Sequence, residues 1–163
     1  MPAYDLVPME RYRERGLPVW METKRGCPYR CRFCAVNAPS TYGKARFRSP
    51  VRCVDEIEHV VQAYGITSFV ILDDTFNLAP RQAQAFCEEI IRRRLSVTWH
   101  IDTRADLLNP EILRLMSCAG CTDVMIDVEV GSEDGLAAVQ KDVNLGQLVR
   151  AFEMVHEAGL RPT

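Results

Sequence analysis

Three cysteines stand close together near the start of the chain, within the segment Gly26-Cys27-Pro28-Tyr29-Arg30-Cys31-Arg32-Phe33-Cys34. Their spacing is C-x3-C-x2-C, and no fourth cysteine follows at an interval typical of a ligand set. Three thiolates on one short loop can hold three corners of a cubane iron-sulfur cluster and leave the fourth iron open for a substrate. An electron-transfer ferredoxin would instead supply four cysteines, in a run such as C-x2-C-x2-C-x3-C. The spacing therefore predicts a cluster with one open iron.

A zinc site and unligated thiols are the alternatives to a cluster. Zinc favours four ligands, and the one other closely spaced pair, Cys118 and Cys121, lies more than eighty residues further along the chain. We therefore favour a cluster over zinc. The pair Cys118 and Cys121 has a redox-type spacing, but it spans a predicted helix end and strand start, which favours packing. Cys53 and Cys87 are interpreted as core or helix-surface thiols.

The elements that must position this loop follow from hydrophobic periodicity. Short β-branched runs alternate with amphipathic stretches of helical spacing, which is typical of parallel β/α units. Strands are predicted at 19–23, 66–72, 97–101 and 124–128, with a fifth beginning at 160–163. Proline in the first turn or an Asn-x-x-Gln capping box marks four helix starts, at Pro50, Pro80, Pro110 and Asn144. Three arginines are predicted to form a solvated helix end that interacts with the helix dipole, namely Arg92, Arg93 and Arg94.

The length of the chain limits the architecture. A closed eight-stranded barrel takes about 250 residues, and this chain has 163. The fold class is therefore α/β with about four to five parallel β/α units, arranged either as an open arc of a TIM-type (β/α) barrel or as an open doubly wound sheet. Both architectures place the ligand site at the carboxyl ends of the strands. Polar side chains follow the second, third and fourth strands there, and they are Asp73, Asp74, Asp102, Arg104, Glu129 and Ser132.

Composition argues against two classes of partner. Lysine and arginine number 20 against 22 aspartates and glutamates, a net charge of -2, so no broad positive field is available to hold a nucleic acid. The longest aliphatic stretch, 69–72, is far shorter than the roughly 20 apolar residues of a membrane span. The first residues lack the basic and apolar regions of a signal peptide, so we expect a cytoplasmic protein. Lys44, Arg46 and Arg48 could approach an anionic group, but we favour the interpretation that they belong to a surface loop.

The cysteine loop, placed directly after the first strand of a β/α chain, resembles the radical S-adenosylmethionine superfamily. Two further stretches are similar to the branch in which a cobalamin-binding domain often precedes the radical domain, namely Gly43-Lys44-Ala45-Arg46-Phe47-Arg48-Ser49-Pro50 and Leu72-Asp73-Asp74-Thr75-Phe76. Residues 1–16 are similar to the linker between those two domains, and residues 17–163 to a truncated radical core domain. The resemblance implies a partial, open TIM-type barrel.

The resemblance also implies roles for individual residues. It assigns Cys27, Cys31 and Cys34 to three irons of a 4Fe-4S cluster. It assigns a contact with the adenine to Phe33, and the methionine amino group to Asp73 or Asp74. Two residues match a motif usually written Glu-Ser-Gly-Ser, which lies near the ribose and the amino acid moiety, and they are Glu129 and Ser132. Val130 stands where that motif usually has its first serine. Arg104 also matches the family, without a defined role.

Two functional hypotheses follow. The first is an enzyme core that cleaves S-adenosylmethionine reductively to methionine and a 5'-deoxyadenosyl radical, with electrons from a reductant such as a flavodoxin or ferredoxin. In the full-length protein, cobalamin on a domain absent from this chain is a candidate cofactor for methyl transfer or for oxidative or cyclising chemistry on a small molecule. The alternative is a non-catalytic iron-sulfur or zinc module for electron transfer or structure.

Overall fold

A parallel sheet of five strands organises the computed structural model of the chain, which describes residues 1–35 and 44–163. Every neighbouring pair of strands in this sheet is parallel. In spatial order the strands are β1 (Val19–Met21), β4 (Ser68–Ile71), β5 (Thr98–Thr103), β6 (Cys121–Ile126) and β7 (Arg161–Pro162). A separate antiparallel pair, β2 (Lys24–Arg25) and β3 (Arg46–Phe47), flanks the cysteine loop. Part of the stretch that resembles the family, Gly43, lies outside the described residues.

The helices cover one face of the sheet, and the main ones begin where the sequence predicts. They are α1 (Met9–Glu14), α2 (Pro50–Tyr64), α3 (Pro80–Arg92), α4 (Pro110–Cys118), α5 (Glu133–Ala138) and α6 (Leu145–Glu157). The side chain of Asn109 caps α4, and Asn144 forms the predicted capping box with Gln147 at the start of α6. Gly65 ends α2 in the left-handed conformation, with φ of 69°.

The strand order decides between the two predicted architectures. Each strand pairs with the next strand of the parallel sheet along the chain, so the order never reverses. A doubly wound sheet requires a reversal, because its helices lie on both faces. Here the buried faces of the helices and strands form one core, while Trp20 and Met125 on the other face are 63% and 43% exposed. The open TIM-type arc is therefore confirmed, and the doubly wound alternative is wrong.

Four local features differ from the sequence prediction. The fourth strand begins at Cys121 and ends at Ile126, whereas the sequence predicts it at 124–128. The short helix α5, whose only buried residue is Leu136, was not predicted. Helix α1 and the β2–β3 pair were also missed, because each is too short to show a period. The loop after the first strand therefore contains more hydrogen-bonded structure than its sequence indicates.

The segment 1–16 packs onto the core. Tyr4 and Met9 are buried members of the hydrophobic core, and the Tyr4 ring meets that of Tyr64 edge to face at 6.4 Å between centroids. The Tyr4 hydroxyl donates to Oε1 of Glu56 at 2.7 Å, and Arg48 forms an ion pair with the other oxygen of that buried carboxylate. The interpretation of Arg48 as a plain surface-loop residue is therefore wrong, because it lies against a charge on α2.

Arg93 is not part of a solvated helix end. Its guanidinium lies 2.8 Å from Asp55 and 2.7 Å from Glu58, both on α2, and 2.7 Å from Glu89 on α3, the helix that Arg93 directly follows. The Arg93 side chain is only 12% exposed. These ion pairs hold the pKa of the guanidinium above its usual value despite partial burial. The sequence shows three adjacent arginines but not that one of them turns back to bridge α2 and α3.

Replacing Arg93 with methionine should lower the free energy of unfolding by about 1 kcal/mol, because three carboxylates then lose their shared partner. Urea denaturation followed by circular dichroism measures this change. The neighbouring exposed arginine provides a control: Arg94→Met should change stability by less than about 0.5 kcal/mol. Equal effects of the two substitutions would contradict the bridging role of Arg93.

No helix within 1–35 and 44–163 has the length and apolar character that crossing a bilayer requires.

Candidate functional site

The cysteine loop begins at the carboxyl end of β1, where a buried carboxylate fixes the chain. Asp73, which follows β4 and is 1% exposed, accepts hydrogen bonds from the backbone amides of Thr23 at 2.8 Å and Lys24 at 3.1 Å. The Thr23 hydroxyl donates to its other oxygen. Burial raises the pKa of Asp73, and these hydrogen bonds act in the opposite direction. Asp74, the other predicted candidate, is exposed.

The three thiols of the loop lie in different surroundings. Cys31 is buried, while Cys27 and Cys34 are half-buried. Burial raises the pKa of the Cys31 thiol, the nearby cations Arg104 and Lys141 lower it, and the other two thiols raise it. All seven cysteines of the chain lie in the described part, and none forms a disulfide.

Arg104, at the end of β5, holds the cysteine loop against the sheet. Its Nη1 donates toward Sγ of Cys31 at 3.7 Å, and its guanidinium carbon lies 3.8 Å from the centre of the Tyr29 ring. Its Nε lies 2.9 Å from Oδ1 of Asp106, and its Nη2 donates to the backbone carbonyl of Lys141 at 2.5 Å. Arg104, to which the family resemblance gave no defined role, is therefore a buried contact of Cys31, a predicted iron ligand.

Lys141, in the connection between α5 and α6, joins three parts of the site. Its Nζ donates to the backbone carbonyl of Asp127 at 2.5 Å and lies 3.2 Å from Oε1 of Glu129. The same nitrogen lies 5.8 Å from the centre of the Phe33 ring in the cysteine loop. Lys141 is only 3% exposed. Sequence reasoning missed it because it lies far along the chain in a loop with no motif.

The remaining predicted residues are exposed at the same edge of the sheet, where the carboxyl ends of its strands lie. We call this edge the rim. Phe33 is 51% exposed, with Lys141 as its described ring contact. Glu129 adopts a left-handed backbone conformation with φ of 62°. The Ser132 hydroxyl accepts a hydrogen bond from the amide of Gly135 at 3.2 Å and caps α5. The structure thus brings Phe33, Arg104 and Glu129 together around Lys141, and places Ser132 at the start of the helix that leads to it.

The carboxyl ends of β5 and β6 also carry two acids on the open face of the sheet. Burial raises the pKa of Asp102, with a further increase from Asp127 and an opposing effect of His100. Burial likewise raises the pKa of Asp127, which Lys141 opposes. Both carboxyls therefore hold protons to a higher pH than an exposed aspartate does.

A cavity of about 600 Å³ opens at the carboxyl ends of β1 and β4, beside the start of the cysteine loop. Its wall includes the exposed rings of Trp20 and Phe47 together with Arg25, Arg46 and Leu72. Volumes of about 300–1,000 Å³ are typical of small-molecule sites. The cavity can therefore admit a ligand with both an apolar and an anionic part.

The other four cysteines do not contribute to this rim. Cys53 and Cys87 are fully buried, and Cys121 is 4% exposed at the start of β6. Burial raises the pKa of Cys53 to about 11 and that of Cys121 to about 12. Cys118 is exposed at the end of α4. The packing interpretation is therefore confirmed for the buried three.

The donor set fits a group that uses one thiolate for each of three metals. Three thiols lie on one loop at the carboxyl edge, and the buried cations Arg104 and Lys141 oppose the negative charge that their ionisation would create. Outside the stretch 36–43, no three side chains of histidine, cysteine, aspartate or glutamate are close enough together to hold a single metal ion. A cubane cluster spreads its thiolates over separate irons, so it does not require that close convergence.

Comparison with protein families shows to which superfamily the chain belongs. The model of the radical SAM superfamily, named for S-adenosylmethionine (SAM), matches residues 21–163. The chain belongs to the radical SAM superfamily. Membership marks it as part of a radical SAM enzyme, and it implies a 4Fe-4S cluster and SAM as cofactors.

Two curated proteins match most of the chain. An uncharacterized methyltransferase of Pyrococcus horikoshii is 31% identical over 162 residues, which are 98% of this chain and 35% of the relative. An anaerobic magnesium-protoporphyrin IX monomethyl ester cyclase of Rubrivivax gelatinosus is 33% identical over 138 residues, 83% of this chain and 24% of the relative. The chain thus spans about a third or less of these relatives' length.

Solved structures support the same architecture. The radical SAM methyltransferase TsrM of Kitasatospora setae, solved with cobalamin and a 4Fe-4S cluster, superposes with a TM-score of 0.82 and 25% identity over 93% of this chain and 31% of its own. The cobalamin-dependent radical SAM enzyme OxsB gives a TM-score of 0.81 at 21% identity, over 94% of this chain and 24% of its own. At 21% identity, the likeness to OxsB shows a shared fold alone.

Proposed function

We propose that this chain binds a 4Fe-4S cluster through Cys27, Cys31 and Cys34 and cleaves SAM reductively to methionine and a 5'-deoxyadenosyl radical. The observation that carries the proposal is the anchored cysteine loop, with the Sγ of Cys31 at 3.7 Å from the guanidinium of Arg104. Three thiolates leave one iron without a protein ligand, so that position is available to the amino and carboxylate groups of SAM. The cluster, when bound, supplies the electron that breaks a carbon-sulfur bond of SAM.

The residues of the chain bind and orient SAM. Asp74 receives the methionine amino group by a charge-assisted hydrogen bond. This assignment is supported by its exposure and by the hydrogen bonds that occupy both oxygens of Asp73. The exposed ring of Phe33 contacts the adenine, and Glu129 and Ser132 lie near the ribose and the amino acid moiety. Arg104 fixes the loop rather than contacting SAM, which is supported by its burial.

We also propose that residues 17–163 form part of a longer radical core and that residues 1–16 lead into it from a cobalamin-binding domain. The burial of Tyr4 and Met9 supports a linker that is docked on the core at this end. Relatives that are methyltransferases and a cyclase support methyl transfer or cyclisation as the reaction of the whole protein. The 600 Å³ cavity beside β1 is the proposed entry for the small-molecule substrate. A cytoplasmic flavodoxin or ferredoxin supplies the electron.

Anaerobic reconstitution with iron and sulfide tests the core proposal. The dithionite-reduced chain should show a paramagnetic cluster signal that shifts when SAM is added, since SAM then binds the open iron. Chromatography should detect 5'-deoxyadenosine and methionine. Bound zinc, or a cluster whose signal is indifferent to SAM, would instead support the non-catalytic module and contradict the proposal.

A further inference from the structure

Two buried cations face the cysteine loop, while their carboxylate partners reach solvent. The Lys141 side chain is 3% exposed and that of Glu129 is 28% exposed. The Arg104 side chain is 6% exposed and that of Asp106 is 23% exposed. Solvent screens an exposed charge more strongly than a buried one. The two ion pairs therefore act on the loop as a net positive charge, although each pair is formally neutral.

The backbone on both sides of Lys141 lies in the left-handed region, which residues other than glycine rarely adopt. Among the described non-glycine residues, four have a positive φ, and three of these are Glu129 at 62°, Gln140 at 55° and Asp142 at 54°. Two of them flank Lys141 directly, and the third is its ion-pair partner. Left-handed backbone at such residues costs energy and concentrates at functional sites. The fold thus holds this amine in place at a conformational cost.

We propose that Lys141, together with Arg104, is a positioning residue that sets the reduction potential of the cluster held by the cysteine loop. The inference rests on the proposed function. Reduction of the cluster adds one negative charge, and a fixed cation in a poorly screened position favours the state that carries it. Net charge, hydrogen bonds to sulfur and solvent exposure are the properties by which a protein adjusts such a potential. Lys141 contributes to the net charge. Arg104 contributes to the net charge and also donates a hydrogen bond toward the sulfur of Cys31.

The geometry distinguishes this role from simple packing. Lys141 connects the loop after β6 to the Phe33 ring through its charged end, whereas its backbone carbonyl connects to Arg104. A substitution that keeps the backbone therefore keeps the Arg104 bond, and it removes the charge together with the contacts of the ammonium group to the Asp127 carbonyl and to Glu129. Methionine at this position retains most of the apolar stem and leaves out the ammonium group.

The test is a redox titration of the reconstituted chain without SAM, followed by the paramagnetic signal of the reduced cluster. Lys141→Met should lower the ratio of reduced to oxidised cluster about tenfold at a fixed solution potential, which corresponds to about 59 mV toward more negative values for a one-electron couple. Glu129→Gln should shift the ratio in the opposite direction, because it removes the carboxylate that offsets Lys141. Arg150→Met removes the same charge from an exposed position on α6, where solvent screens it, and should leave the potential unchanged.

An unchanged potential in Lys141→Met, or a shift of equal size in Arg150→Met, would overturn the inference while leaving the proposed function intact. Absence of a cluster in the unsubstituted chain would contradict the proposed function itself. Should Lys141→Met fail to assemble a cluster, Lys141→Arg decides. A cluster of normal potential in that variant supports a requirement for charge, whereas loss of the cluster in both variants assigns Lys141 to packing and overturns the inference.

Discussion

Replacing Cys31 with alanine should reduce the iron and sulfide of the reconstituted chain to background. Cys31 is the buried member of the three thiols, and Arg104 contacts its sulfur. Its loss leaves two thiolates on the loop, and it leaves a buried guanidinium facing a cavity where a sulfur was. A cluster held by two protein ligands exchanges iron with solvent, so we expect loss of the visible absorbance and of the paramagnetic signal. Iron and sulfide analysis after gel filtration gives the measurement.

The matched control is Cys118→Ala. This thiol is exposed at the end of α4, away from the rim, so its removal should leave cluster content unchanged. The comparison separates ligation from general sensitivity to cysteine loss. A full cluster in Cys31→Ala, or equal losses in both variants, would contradict the assignment of ligands and with it the open-iron mechanism.

Sequence reasoning predicted the β/α scaffold because its signals are local. The helices that begin at Pro50, Pro80 and Pro110 start where predicted, since proline in the first turn and the following apolar face both lie within one element. The fourth strand was placed too late because Asp123 interrupts the apolar run near its start, although that residue forms an ion pair with Arg161 on β7. Pairing with a neighbouring strand supplies what the local pattern lacks.

The candidate site was predictable only in part, because its most buried contacts join distant segments. The cysteine spacing identifies the loop, but nothing near Lys141 or Tyr29 in the sequence indicates their roles. Arg104 contacts Cys31 across 73 positions, and Lys141 contacts the Phe33 ring from a connection that follows an unpredicted helix. A motif lists the residues that touch a cofactor, whereas the residues that hold the motif are set by the packing of the whole sheet.

The adjacent residues Asp73 and Asp74 also differ in a way that the sequence does not show, because Asp73 is buried and Asp74 is exposed. Substitution of Asp73 is the second change for which we expect a large effect. Asp73→Ala should lower the free energy of unfolding by about 3 kcal/mol, because it leaves the amides of Thr23 and Lys24 and one hydroxyl without their acceptor beside the core. Asp74→Ala changes an exposed residue, so its effect on unfolding should stay within about 0.5 kcal/mol. Urea denaturation of the apo-protein measures both values.

Binding of SAM should follow the opposite order. Asp74→Ala should assemble a normal cluster and weaken SAM binding by roughly tenfold or more, because a charge-assisted hydrogen bond contributes about 1.5–3 kcal/mol. The SAM-dependent shift of the paramagnetic signal, titrated with SAM, gives the affinity. Unchanged affinity in Asp74→Ala would contradict its role toward the methionine amino group. A stable Asp73→Ala protein with weakened SAM binding would return that role to Asp73, since its oxygens would then have to exchange the Thr23 and Lys24 amides for the ligand.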